Sequence, residues 1–217
     1  MKLGNYVEVC IAVDDIAAAL TWLEKVGMKK VADAVVTDGG LNIGLQSEPL
    51  SQPTLVYYGA DKAETLSAPN SVQIIRKTEA APAPMPEGDI MSRVPVSRLG
   101  KFAEYAIPTD DFEASARFWE DCGFNRLHAD NSPYPWGIFA DDLTVVGLHQ
   151  VDPASGQPTF DEPHITYFAG DMADRIAALK GEGLPVRDVE PLEDGQVVNA
   201  VMTGPGGQPI FLFNGEI

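Results

Sequence analysis

Apolar positions alternate along residues 7–13, then recur at helical spacing, and this succession returns later in the chain. Val7, Val9, Ile11 and Val13 alternate with Glu8, Cys10 and Ala12, the period of a strand with two unlike faces. After Asp14-Asp15, the residues Ile16, Leu20 and Leu23 share one face of a helix, and Gly27 is placed to end it as a left-handed C-cap. The second copy runs from Ala103 to Asp111. Tyr105 and Ile107 lie on one side and Glu104, Ala106 and Pro108 on the other, followed by Phe112, Ala116, Trp119 and Gly123. In both copies an acid sits inside an otherwise apolar strand. Asp14 and Asp110 are the natural N-caps, because a short carboxylate accepts from the free N–H groups of a first turn.

A second pair of repeats follows. Residues 53–61 match residues 163–171, and after Asp171 the helical spacing returns as Met172, Ile176 and Leu179, ending near Gly183. After Asp61 it is cut short by Ala68-Pro69-Asn70. The order is therefore long unit, short unit, long unit, long unit, a duplicated pair of small strand-helix-strands modules. Strands are expected at 29–36, 41–46, 54–59, 71–76, 125–129, 137–140, 143–150 and 209–214. Turns fall at Thr37-Asp38-Gly39-Gly40 and Gly204-Pro205-Gly206-Gly207. Residues 131–136 and 151–161 read as loops. Pro82, Pro84, Pro86 and Pro95 mark a linker, since proline at that density continues neither ladder nor helix. The domains expected are 1–79, a linker at 80–97, and 98–217.

Composition narrows the partners. The 217 residues hold 15 Lys and Arg against 32 Asp and Glu, a formal net charge of −17. That argues against nucleic acid, whose phosphates need Lys and Arg, and against anionic membranes. No apolar run approaches the roughly 20 residues that span a bilayer. Met1-Lys2-Leu3-Gly4-Asn5 lacks the apolar core of a signal peptide, and two cysteines make no disulfide framework. A cytoplasmic protein with a small-molecule partner is expected.

Strand-Asp-Asp-helix-Gly-strands, repeated in pairs and closed by a Gly/Pro turn before an apolar strand, resembles the vicinal oxygen chelate (VOC) superfamily. Its members include glyoxalase I, extradiol dioxygenases, methylmalonyl-CoA epimerase and the bleomycin- and fosfomycin-resistance proteins. The resemblance covers nearly the whole chain and is weakest at 61–97. It implies an α+β fold: tandem βαβββ modules forming two glyoxalase-like half-barrel domains, the second module abbreviated, each pair curling into a cup. Members often dimerise, so a homodimer is expected.

The resemblance also implies where a divalent metal would be held. First-strand ligand positions fall at Glu8, Thr54, Glu104 and His164. Last-strand positions, usually Glu, fall at Gly44, Gly147 and Phe211, with Ile75 the least certain match, and none of these can ligate. His149, two residues beyond Gly147, shares its face. The metal candidates are therefore Glu104, His149 and His164, a set suited to Zn, Fe, Mn or Ni. Glu104 and His164 are the catalytic candidates, and pairing with each other in a metal-free pocket is their alternative. Glu8 reads either as a general base or as a carboxylate that is paired with Lys or Arg or close enough to the rim to stay wet. Cys10 reads as a small buried residue rather than a nucleophile, and His128 as solvent-exposed. Glu8, Tyr58, Tyr134, Trp136, Phe168 and Phe211 are the ligand-binding candidates, making a flat-sided pocket for a planar or aromatic molecule. Two readings stand: a metal-poor binding protein, as in the bleomycin-resistance branch, and a divalent-metal-dependent lyase or dioxygenase acting through Glu104 and His164.

Overall fold

The computed structural model describes residues 2–50, 52–69, 72–151, 162–189 and 199–216. The first long module runs β1 (Tyr6–Ala12), α1 (Ile16–Lys25), β2 (Lys29–Ala32), β3 (Val35–Thr37) and β4 (Asn42–Gln46). The short module keeps only β5 (Thr54–Tyr58), β6 (Glu64–Ser67) and β7 (Gln73–Arg76). The third module is β8 (Lys101–Thr109), α2 (Phe112–Asp121), β9 (Asn125–Asp130), β10 (Trp136–Ala140) and β11 (Val145–Gln150). The fourth is β12 (His164–Ala169), α3 (Met172–Gly181), β13 (Val186–Asp188), β14 (Ala200–Thr203) and β15 (Pro209–Asn214). The expected strand at 29–36 is a β2–β3 hairpin turning at Asp33-Ala34, and β6, β13 and β14 add strands that alternation alone did not mark. The loop expected at 151–161 lies outside the described residues beyond Val151. No helix of the described residues is long and apolar enough to cross a membrane.

The modules pair into two mixed sheets. One has the order β2-β3-β4-β1-β5-β7-β6 and the other β13-β14-β15-β12-β8-β11-β10-β9. In each, the first strands of two modules lie antiparallel at the centre, β1 beside β5 and β8 beside β12. Each first strand also runs parallel to the last strand of its own module, β1 with β4 and β8 with β11. Val7, Val9, Ile11, Tyr105 and Ile107 turn to one contiguous core that draws on both halves. Trp119, 1 % exposed, packs there from the apolar stripe of α2.

The helix boundaries follow the sequence with one shift. Asp15 and Asp111, not Asp14 and Asp110, are the N-caps, accepting from the Ala18 and Ala114 amides at 3.0 Å each. The second acid of each pair is the one whose carboxylate reaches the third amide ahead of it. Gly27 and Gly123 have φ of +89° and +102°, the left-handed ends that favour glycine. In the short module, the fully buried Arg76 ties down the strands without a helix. Its guanidinium donates to Asp61 and Glu64, and to the Leu3 and Lys2 carbonyls at 3.1 Å.

Two reciprocal contacts join the halves. Tyr57 on β5 donates to Asp141 Oδ2 at 2.9 Å, and Tyr167 on β12 donates to Asp38 Oδ2. Asp38 and Asp141 each close a turn as well, accepting two backbone amides through Oδ1. The stretch 80–97, largely exposed, is tied to both halves at a few points. Arg93, 5 % exposed, donates through Nη1 to Gly40 O at 2.9 Å and to Leu143 O at 3.0 Å, one carbonyl from each half. Val96 N bonds Asp38 O at 2.6 Å, and the Asn42 amide donates to Pro84 O at 3.0 Å.

Candidate functional site

Alternation along β1 puts Tyr6, Glu8 and Cys10 on the concave face of the first sheet. Glu8 is buried and its carboxylate lies over Gly44, where any Cβ would collide with it. Its partners are phenols, not the Lys or Arg expected. Tyr6 donates to Oε2 at 2.9 Å and Tyr58 to Oε1 at 3.2 Å. Tyr6 was legible as a partner only through its shared strand face with Glu8. The Lys77 ammonium stands 3.4 Å from the Tyr58 hydroxyl and 5.0 Å from its ring centroid. Burial pushes the Glu8 carboxyl above its usual range, against the lowering by both phenols. Burial and the Glu8 charge push the Cys10 thiol up to about 12. The thiol donates to Gln46 Oε1 at 3.3 Å, so Cys10 is a packed thiol and not a nucleophile. Beside this strand, Met85 Sδ takes the Val7 amide at 3.5 Å and the side chain packs against the core. A cavity of about 520 Å³ opens beside Tyr58, Lys77, Thr65 and Ile75.

The second sheet repeats the acid-over-glycine arrangement. Glu104, 6 % exposed, lies over Gly147, again leaving no room for a Cβ. The ligand positions implied by the resemblance set it beside His164, and the structure pairs it with His149, whose Nε2 is 2.9 Å from Oε1. The register explains the change. Glu104 faces Thr166 across β8–β12 while His164 faces Ala106, and the vacancy at Gly147 lets the carboxylate lean toward β11. Glu104 Oε2 is buried with no hydrogen-bond partner among the described residues. Tyr134 Oη lies 3.5 Å from His149 Nδ1. A carboxylate only accepts, so His149 Nε2 carries a hydrogen toward Oε1.

His164 is 2 % exposed and its Nδ1 is 3.2 Å from Glu162 O. A carbonyl only accepts, so Nδ1 carries the hydrogen. Burial pushes the imidazole down to about 4, keeping it neutral at pH 7. Aromatic rings wall the cup. Trp136 stacks on the His149 ring, with centroids 6.2 Å apart and planes 6° apart. Phe211 lies 4.1 Å from His164, and Phe213 bridges Phe211 and Phe168 at 5.9 and 5.6 Å. Trp136, expected in a loop, opens β10, where its register partner is His149. His128 is exposed, as expected, and lies against Trp136.

Among the described residues no group of three His, Cys, Asp or Glu side chains comes together to hold a metal ion. Glu104 and His149 meet each other, His164 is turned to a carbonyl, and Gly147 and Phe211 stand at the last-strand positions.

The fold is that of the vicinal oxygen chelate superfamily. The chain is similar in structure to 4-hydroxymandelate synthase from Streptomyces coelicolor, a triple mutant, at a TM-score of 0.58 and 12 % identity, covering 97 % of this chain and 92 % of that one. It is also similar to 2,2',3-trihydroxybiphenyl 1,2-dioxygenase from Sphingomonas wittichii RW1, at 0.56 and 14 %, covering 99 % and 90 %. Similarity to a catechol 2,3-dioxygenase reaches 0.53 at 11 %, covering 100 % and 94 %. No protein-family model and no curated sequence matches the chain.

Proposed function

We propose that the C-terminal cup binds a small planar molecule between aromatic walls and needs no metal ion to do so. The observation that carries this reading is the parallel stack of Trp136 on His149 beside the Glu104–His149 pair. Rigid rings supply flat contact area at low entropic cost, and two polar groups fix the orientation of what lies between them. Gly147 and Phe211 support the metal-free reading, because neither offers a lone pair at the fold's last-strand positions. Two buried, reduced thiols suit a cytoplasmic location, and a homodimer fits the same picture. The test is calorimetry and tryptophan fluorescence with naphthalene-2-carboxamide. Saturable binding that weakens at least about tenfold in Trp136→Ala supports the reading, since a ring contact of this kind is worth about that much. Absence of saturable binding would sink it.

A second reading is a divalent-metal-dependent lyase or dioxygenase working through Glu104 and His164, with His149 as a further ligand. It is favoured by the unmatched Glu104 Oε2. The dioxygenase names among the similar structures support it only by fold. Elemental mass spectrometry on untagged protein decides. Near-stoichiometric metal lost in both Glu104→Gln and His164→Ala would displace the first reading, and vicinal diketones and catechols would then be the substrates to screen.

A further inference from the structure

Resting on the planar-ligand reading, we infer that the ligand of the C-terminal cup is a planar cation, an amidinium or a protonated ring nitrogen, whose N–H donates to Glu104 Oε2. The argument starts from the contrast between equivalent acids. Glu8 has a phenol on each oxygen. Glu104 has His149 on Oε1 and, among the described residues, nothing on Oε2, although that oxygen is buried. A buried carboxylate oxygen without a donor is costly, and the same fold shows in its other half how readily one is supplied. The donor is therefore expected to arrive with the ligand.

The neighbouring cations are engaged elsewhere. Lys101, on the same strand, sends its ammonium to Met91 O at 2.9 Å, and Arg126 is held by Glu113 and Glu120. Among the described residues, the Glu104 carboxylate meets an ionisable side chain in its hydrogen bond to His149. Trp136, Phe211 and Phe213 are grouped around the two histidines of this cup, and aromatic faces attract a flat cation and repel an anion. The chain's net charge of −17 adds long-range attraction for the same class. A planar carboxylate would meet Glu104 as a like charge, and a neutral amide would make the hydrogen bond without the charge assistance.

Three molecules of one shape separate these cases: naphthalene-2-carboxamidine, naphthalene-2-carboxamide and naphthalene-2-carboxylate, titrated calorimetrically at low and at physiological salt. The amidine is expected to bind about tenfold tighter than the amide, with the carboxylate weakest, because a charge-assisted hydrogen bond is about twice as strong as a neutral one. Glu104→Gln, which keeps the shape and the His149 contact, is expected to bring amidine and amide together while amide binding survives. Survival of amide binding also shows that the variant is folded. Should it not fold, the wild-type ordering decides alone. Equal binding of amidine and amide by the wild type overturns the inference and leaves the planar-ligand reading standing. Persistence of the preference in Glu104→Gln overturns it too. Binding of none of the three overturns both. A stoichiometric addition of Zn²⁺ that makes the carboxylate the tightest of the three would also overturn the inference, because the cation would then be a metal.

Discussion

In the N-terminal cup the first-strand acid, Glu8, ends against two phenols. In the C-terminal cup its counterpart, Glu104, ends against one imidazole, with half of its carboxylate unmatched and aromatic rings around it. The backbone device is common to both: an acid on the first strand reaches over a glycine on the last, Gly44 or Gly147. What differs is completion. The first cup meets the hydrogen-bonding needs of its acid internally and so reads as structure. The second leaves one open, an unmet buried group near aromatic rings, which is the feature the proposed ligand reading rests on.

The joint between the halves offers the largest test of how alike they are. Asp38→Ala would orphan the Tyr167 hydroxyl and two turn amides in a fully buried setting, at a cost of about 3–5 kcal/mol in urea unfolding. Asp141→Ala, at the more accessible counterpart, is expected to cost about 2 kcal/mol. Equal losses would show that the two clamps are energetically equivalent.

The cups should respond to pH with opposite slopes. Folding holds His164 at about 4 against an ordinary 6.5, so the unfolded chain takes up the proton first. Its contribution is complete above about 6.5 and is lost as pH falls through about 4, on the order of 3 kcal/mol. Glu8 is raised from 4.5, so its contribution is complete below that value and is lost as pH rises through the folded pKa. Urea midpoints across pH should therefore show the acid-side loss shrinking in His164→Gln and the alkaline-side loss shrinking in Glu8→Gln. A variant with an unchanged profile would remove that group from the account.

Smaller effects separate the tyrosines and the helix starts. Tyr58→Phe leaves Glu8 Oε1 without its phenol and should cost about 1–2 kcal/mol. Tyr134→Phe, at a 3.5 Å contact on the rim, should cost less than about 0.5 kcal/mol while altering the affinity for planar probes. Asp15→Ala removes a side-chain cap and should cost about 1 kcal/mol. Among the described residues Asp171 makes no side-chain capping bond and pairs with Arg175 at an exposed site, so Asp171→Ala should cost about 0.5 kcal/mol or less.

The duplication was legible because it repeats a whole succession: alternation, two acids, helical spacing, glycine. Alternation along β1 and β8 also put Glu8 and Glu104 on the concave faces. Partner choice was not legible. Glu104 takes His149 rather than His164 because of a strand register and a missing side chain at Gly147, and neither is encoded by residue type within one strand. The phenols around Glu8 were equally hidden, since Tyr58 reaches it from β5 through a pairing that forms only in the sheet. Proline density described residues 80–97 as a joint between halves, but it said nothing of Arg93, whose value comes from two carbonyls far apart in sequence.

That arginine has a practical corollary. Residues 80–97 have the composition of a protease-sensitive spacer, and their single basic residue is the natural target for trypsin. In the folded protein that side chain is sequestered between Gly40 and Leu143, so the enzyme's specificity pocket cannot receive it without first prying the halves apart. Limited digestion at this joint therefore reports separation of the two halves rather than looseness of the segment that connects them.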